Sequence, residues 1–107
     1  MARVVTTDKD FNILLQDNVE YTGNSWELVD KTIPGTIIFE RNLNLCSEWL
    51  DFSYVGDTEN IVVSSRSSSN GTVWSSWCEN LTAPVNNILQ IRFVLSAIEE
   101  TYENYND

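Results

Sequence analysis

The 107 residues of this chain are 42% hydrophobic and include four each of Trp, Tyr and Phe, which suits one domain around one core. Sixteen acidic residues outnumber six basic ones, for a formal charge of −10. This balance disfavours binding to nucleic acid or to an anionic membrane surface, because Lys and Arg make most phosphate contacts. Histidine is absent, which excludes Ser-His-Asp and Cys-His catalytic sites.

The N-terminal residues contain no apolar run long enough for a signal peptide. No segment approaches the roughly 20 apolar residues that span a bilayer. We therefore expect synthesis in a cytosol. Cys46 and Cys78 form neither a CxxC pair nor a disulfide framework. We expect free thiols in a reducing compartment, and the sequence leaves open a Cys46–Cys78 bridge if two strands meet.

Short segments with strand character follow one another along the chain, separated by turn residues such as Pro34-Gly35. They cover residues 11–15, 19–21, 26–29, 36–41, 49–55 and 61–63. In one of them, Leu50, Phe52 and Tyr54 share a face of the strand. Many short strands at intervals of about ten residues predict an all-β fold, an antiparallel β-sandwich of jelly-roll type.

The stretch 63–77 gives the strongest local signal. It predicts a strand, a tight turn at Asn70-Gly71 and a second strand that carries Trp74 and Trp77. Asn-Gly tolerates the positive φ angles that a type I′ turn requires at both central residues. The two tryptophans are three positions apart, so a regular strand would point them to opposite faces. An exposed tryptophan suits a sugar platform or a protein-interface anchor, and a bulge or a second covering layer would bury both.

The last predicted strand covers residues 88–96, where apolar and polar residues alternate. One face carries Leu89, Ile91, Phe93 and Leu95, and the other carries Gln90, Arg92 and Ser96. This alternation predicts one face in the core and one largely polar face. Arg66 and Arg92 are a third of the basic residues, and we expect each to pair with nearby carboxylates.

We assign residues 1–97 to a single β-sandwich domain and residues 98–107 to an acidic C-terminal tail. The tail holds four acidic side chains together with Tyr102 and Tyr105. It is interpreted either as a solvated end of the chain or as an arm whose tyrosines dock onto a neighbouring subunit.

Carboxylates are plentiful, but no spacing singles out a pair suited to glycoside hydrolysis. The pairs Asp8 with Asp10 and Asp57 with Glu59 offer the oxygen ligands that Ca²⁺ prefers, yet neither resembles a complete calcium loop. We therefore predict solvated loop acids at these positions, no metal, no cofactor and no enzymatic activity.

The pattern Arg66-Ser-Ser-Ser-Asn-Gly-Thr-Val-Trp-Ser-Ser-Trp77, followed by the strand at 88–95, resembles a small β-sandwich module common in bacteriophage virion proteins. Those modules carry R-x-S-x-D/N-G-x-x-W-S-x-W and then I-Q-x-R-V-x-L. They occur in tail, baseplate and fibre proteins and in accessory domains of some secreted carbohydrate-active enzymes. Gly35-Thr-Ile-Ile, Leu45 and Trp49-Leu-Asp-Phe-Ser-Tyr look like the preceding strand pair of this family, so the resemblance spans residues 35–96.

The hairpin is also similar to a single Asp-box, the turn repeated in sialidase propellers. Asn70 replaces the aspartate and only one copy is present, so sialidase activity is not implied.

The resemblance implies a non-enzymatic virion structural protein, a capsid decoration, neck, tail or fibre component, that joins the virion after synthesis in the host cytoplasm. Its expected partners are other virion proteins and further copies of itself, in a trimer or larger ring, with neither nucleic acid nor membrane among them. The predicted interface or ligand contacts are Trp74, Trp77, Tyr102, Tyr105 and Arg66. The alternative is a carbohydrate-binding module that recognises host-surface glycans through one tryptophan.

Overall fold

The computed structural model describes residues 3–5, 12–23, 25–42, 54–56, 60–84 and 86–97. These residues form nine strands and no helix. The strands are β1 Arg3–Val5, β2 Asn12–Asp17, β3 Val19–Tyr21, β4 Trp26–Leu28, β5 Gly35–Asn42, β6 Val55–Gly56, β7 Ile61–Ser68, β8 Cys78–Glu79 and β9 Ile88–Leu95. Every pairing is antiparallel, which confirms the predicted all-β class.

The strands divide into two sheets. A four-stranded sheet has the order β3-β4-β1-β6, and a five-stranded sheet has the order β2-β5-β9-β7-β8. The long strand β9 lies at the centre of the larger sheet and pairs along its whole length with β5 on one side and β7 on the other. This leaves β2 and β8 as the two edge strands of that sheet.

Side chains from both sheets form one hydrophobic cluster. Val4, Val19, Trp26 and Leu28 come from the smaller sheet, and Ile37, Phe39, Ile61, Leu89, Ile91, Phe93 and Leu95 come from the larger one. Aromatic rings connect the two sets edge to face, with 6.0 Å between the centroids of Trp26 and Phe39 and 5.9 Å between those of Phe39 and Phe93. The apolar face predicted for β9 is confirmed, since all four of its side chains are at most 2% exposed.

Most predicted strands lie where the periodicity placed them, as β3, β4, β5, β7 and β9 show. The three-residue strand β1 was not predicted, because so short a segment carries no readable alternation. Only β6 is seen from the strand predicted at 49–55, since residues 49–53 lie outside the described residues. No helix long and apolar enough to cross a membrane occurs in the described part of the chain.

Asn18 joins two of the places where the chain passes from one sheet to the other, between β2 and β3 and between β4 and β5. Its backbone has a φ of 57°, a left-handed conformation that asparagine tolerates better than most residues. Its Nδ2 donates to the carbonyl oxygens of Asp30, Ile33 and Pro34 at 2.9, 3.1 and 3.2 Å. Its Oδ1 accepts from the amide of Asp30 at 2.8 Å. One side chain therefore holds both crossings together.

The turn after β7 differs from the predicted type I′ turn. Gly71 has a φ of 79°, but Asn70 does not adopt a positive φ, and the residues that close the loop are Ser68 and Trp74. Hydrogen bonds from backbone amides to side chains close the loop in place of a type I′ turn. Ser68 Oγ accepts from the amides of Asn70 and Gly71, and Asn70 Oδ1 accepts from the amides of Thr72 and Val73. A wider loop capped by two polar side chains results.

Candidate functional site

One extra residue between Trp74 and Cys78 controls the geometry of the candidate site. Trp74 pairs with Ser68, and Cys78 pairs with Ser65. The chain advances four residues from Trp74 to Cys78, whereas its partner advances three residues from Ser68 to Ser65. This is the arrangement of a β-bulge. The insertion shifts the inward–outward alternation by one position, so Trp74 and Trp77 come to the same face. The prediction that they face opposite sides is therefore wrong.

That face lies on the side of the five-stranded sheet away from the core. On β7, Ser65 and Ser67 share a face with the core residue Ile61, whereas Val62, Ser64 and Arg66 point the other way. Val62 is 63% exposed, as expected for the outer face. Trp74 and Trp77 lie above this outer face and are half-buried.

Arginine and tryptophan side chains stack on one another there. The Arg66 guanidinium carbon lies 4.6 Å from the ring centroid of Trp74 and 4.6 Å from that of Trp77. The Arg92 guanidinium carbon lies 4.1 Å from the centroid of Trp77. All three distances are within the range of attractive cation–π contacts. We call this group, Trp74, Arg66, Trp77 and Arg92, the Arg–Trp ladder.

Hydrogen bonds to side chains of the five-stranded sheet hold the two arginines in place. Arg66 Nε donates to Gln90 Oε1 at 2.7 Å, and Gln90 Nε2 donates to Glu40 Oε1 at 2.6 Å. This chain of contacts crosses from β7 over β9 to β5. Arg92 Nε donates to Ser64 Oγ at 3.2 Å. Gln90, although on the face predicted to be polar, is only 2% exposed because its neighbours cover it.

The expected pairing of both arginines with carboxylates is not seen among the described residues. Arg66 bonds to an amide and Arg92 to a hydroxyl, and neither forms an ion pair with any of those residues. The reason is register, since the residues opposite them are Gln90 and Ser64. The Glu40 carboxylate is linked to Arg66 through Gln90.

A second surface feature is the edge strand β2. All six of its residues are exposed, including three consecutive large apolar side chains. Ile13, Leu14 and Leu15 are 47%, 53% and 44% exposed. On its inner side β2 pairs with β5, with a register irregularity between Ile13 and Leu15. On its outer side no described strand pairs with it.

Of the five predicted contact residues, the structure brings together Trp74, Trp77 and Arg66, while Tyr102 and Tyr105 lie outside the described residues. Sequence reasoning missed the parts played by Arg92, Gln90 and Glu40, because cross-strand neighbours depend on register. The sequence predicts a strand at residues 11–15, and the three consecutive apolar residues 13–15 do not by themselves show that this strand is an exposed edge.

Other sequence-based predictions concern residues that the structure describes only in part. Cys78 is a free, half-buried thiol, whereas Cys46 lies outside the described residues. The carboxylate pairs at 8–10 and 57–59 also lie outside them. Within the described ranges, no three His, Cys, Asp or Glu side chains are grouped so that they could hold a metal ion.

No protein-family model matches this sequence, and comparisons with curated proteins and with solved structures gave no significant match. The resemblance to phage β-sandwich modules therefore stays a prediction.

Proposed function

We propose that this protein is a non-enzymatic structural component of a bacteriophage virion, in a capsid decoration, neck, tail or fibre, and that it works through protein–protein contacts. In this proposal the two sheets, which share one core, form a jelly-roll-like sandwich. The virion assignment depends on the sequence resemblance. The assembly role has independent support from the surface.

The observation that carries the assembly role is the edge strand β2. Sheet edges in monomeric proteins are usually blocked by charges, prolines or covering segments, because an open edge pairs with other strands. Here the middle of the strand consists of Ile13, Leu14 and Leu15, each more than 40% exposed, and the only charge is Asp17 at its end. Such an edge is suited to continue the sheet into another subunit.

A symmetric pairing of two β2 strands also avoids charge repulsion. Antiparallel pairing about a two-fold axis between Leu14 and Leu15 sets these two residues opposite each other and Asp17 opposite Asn12 of the other copy. Like charges therefore do not meet, which matters in a chain with a formal charge of −10. We propose this contact as one interface of the homo-oligomer.

The test is the solution mass of the full chain and of Leu14→Lys, measured by light scattering after size exclusion over a concentration series. We expect an oligomer for the unmodified chain and a shift of at least tenfold in its dissociation concentration for Leu14→Lys, because each lysine would be desolvated at the interface. Val73→Lys is the matched control, since Val73 is also exposed and lies in the loop between β7 and Trp74. A monomer at every concentration would contradict homo-oligomerisation.

The virion assignment is tested separately. Mass spectrometry of purified particles should find the protein at a fixed copy number relative to the major capsid protein. Its absence from particles would overturn the assignment.

The alternative of a carbohydrate-binding module rests on Trp74. Trp77 contacts two guanidinium groups, whereas Trp74 contacts one, so fewer cationic side chains compete with a sugar for the Trp74 ring. Saturable binding of a neutral host-surface polysaccharide, lost in Trp74→Ala, would favour this alternative.

A further inference from the structure

The ends of the Arg66 and Arg92 side chains have no protein partner among the described residues. A guanidinium carries five N–H donors, and the hydrogen bonds that each arginine donates to described residues use only the Nε–H. The remaining four donors of each group are at the two terminal nitrogens. Both side chains are only half-buried.

The same contacts hold these donors in place. Each guanidinium is fixed by a hydrogen bond at Nε and by at least one stacked indole ring. Little side-chain entropy is then left to lose when a ligand binds, which favours affinity. With Nε occupied, a carboxylate can approach only end-on, across the two terminal nitrogens.

The electrostatic setting favours an anionic ligand. Two cations lie beside the same Trp77 ring, and among the described residues the only carboxylate joined to them by hydrogen bonds is Glu40, through Gln90. A cationic site of this kind on a chain with a formal charge of −10 attracts acidic segments of other copies while the remaining surface repels them.

The chain itself contains a segment of matching chemistry. Residues 98–107 hold four carboxylates and two tyrosines and no basic residue. Glu100 and Glu103 flank Tyr102, so carboxylates for the guanidinium ends and an aromatic ring for the indoles occur within a few residues.

A second copy is the better source of this segment than the same copy. The strand β9 carries Arg92 and ends at Leu95. Ser96 still follows the line of that strand, because its amide donates to the Asn60 carbonyl oxygen at 2.9 Å beside the start of β7. To reach its own ladder the chain would have to reverse beyond this point. A neighbouring copy needs no such reversal.

We propose that the Arg–Trp ladder is the docking site for the acidic segment 98–107 of a neighbouring copy. This inference deepens the proposed assembly function and rests on it. It names a second contact, distinct from the β2 edge, in which carboxylates bind the terminal nitrogens of Arg66 and Arg92.

The experiment measures binding of a dye-labelled peptide of residues 97–107 to the full-length protein by fluorescence anisotropy. It is run at low salt and below the protein concentration at which light scattering detects association. We expect saturable binding, weakened roughly three- to tenfold in Arg92→Gln. Lys31→Gln is the matched control, because Lys31 is exposed and the change in charge is the same.

A second part of the experiment changes the peptide and leaves the protein unmodified. The peptide with Glu100→Gln and Glu103→Gln should bind more weakly by a similar factor, whatever the effect of Arg92→Gln on folding. Equal binding of both peptides, equal binding to the two protein variants, or no saturable binding would overturn the proposal. So would Arg92-dependent binding of a uronic-acid oligosaccharide without binding of the peptide, which would assign the ladder to acidic glycans.

The two proposals fail separately. Loss of oligomers in Leu14→Lys with unchanged peptide binding supports both contacts. Peptide binding together with oligomers that Leu14→Lys leaves unchanged would overturn the β2 interface alone, and oligomers of a protein that does not bind the peptide would overturn the ladder site alone.

Discussion

Gly35 begins β5 at a point where the surrounding atoms leave no room for a side chain. A Cβ built on it would lie 2.7 Å from Leu28 Cδ2, 2.8 Å from the Asn18 carbonyl oxygen and 2.8 Å from Val19 Cγ1. The Asn18 carbonyl oxygen cannot easily move aside, because it accepts a hydrogen bond from the amide of Val29 at 3.1 Å. Glycine at this position therefore provides space for the close approach of two sheets.

We expect Gly35→Ala to lower the free energy of unfolding by about 1–3 kcal/mol, the usual cost of overpacking a core. Urea unfolding followed by circular dichroism measures the change. Gly23→Ala is the comparison, since Gly23 has a φ of 102° and open space around it. That substitution should cost only the backbone strain, about 1–2 kcal/mol. A smaller effect at Gly35 than at Gly23 would contradict the steric argument.

Sequence reasoning identified Gly35 for a different reason. Its position next to Pro34 predicts a turn, yet it pairs with Leu95 within the sheet. The composition of a dipeptide reports local backbone preference, whereas the need for space arises from Leu28 and Val19, which are distant in sequence. Asn70 shows the same limit, because its side-chain contacts rather than a positive φ close the loop.

At the scale of the strand, β7 is unusual because its core face contains serines. Ser65 and Ser67 are at most 1% exposed and hold the connection between β8 and β9. Ser67 Oγ donates to the Pro84 carbonyl oxygen and accepts from Asn86 Nδ2 at 3.2 Å, while Ser65 Oγ accepts from the amide of Ala83 at 3.3 Å. Buried hydroxyls with partners on both sides stabilise the connection rather than cost energy.

We expect Ser67→Ala to destabilise the protein by about 1–2 kcal/mol, because it leaves the Pro84 carbonyl and the Asn86 amide without this partner. Chemical denaturation provides the measurement. Ser69→Ala, in the exposed loop that follows β7, is the control and should change stability by less than about 0.5 kcal/mol. If the two substitutions have equal effects, the buried hydroxyl does not stabilise the fold.

The sequence predicts a strand well when the pattern that identifies it lies within the strand itself. The alternation in β9 placed Leu89, Ile91, Phe93 and Leu95 in the core, because each inward residue lies two positions from the next. The Arg–Trp ladder depends instead on which residues of β7, β8 and β9 lie side by side. Pairing register and a one-residue irregularity determine which of these residues are neighbours, and neither can be recognised from the composition.

For the molecule as a whole, the large negative charge acts on the two proposed contacts in opposite directions. Copies with a formal charge of −10 repel one another wherever they approach. The β2 contact is mainly apolar and gains when salt screens this repulsion. The ladder contact joins unlike charges and weakens as the screening length falls.

We therefore expect that raising the salt concentration from about 50 mM to about 500 mM strengthens oligomerisation and weakens binding of the 97–107 peptide, because the Debye length falls from about 14 Å to about 4 Å. Light scattering and anisotropy on the same samples measure the two effects. If both interactions weaken in parallel, the β2 contact is electrostatic and the apolar edge is not its basis.

The extra residue between Trp74 and Cys78 also affects how such a surface can evolve. Deleting one residue there would restore regular alternation and turn one indole away from Arg66, with every side chain of the ladder still encoded. The ladder can thus be acquired or lost by a single-codon insertion or deletion. Related chains with the same tryptophans and arginines but a different spacing between them would share its composition and lack its surface.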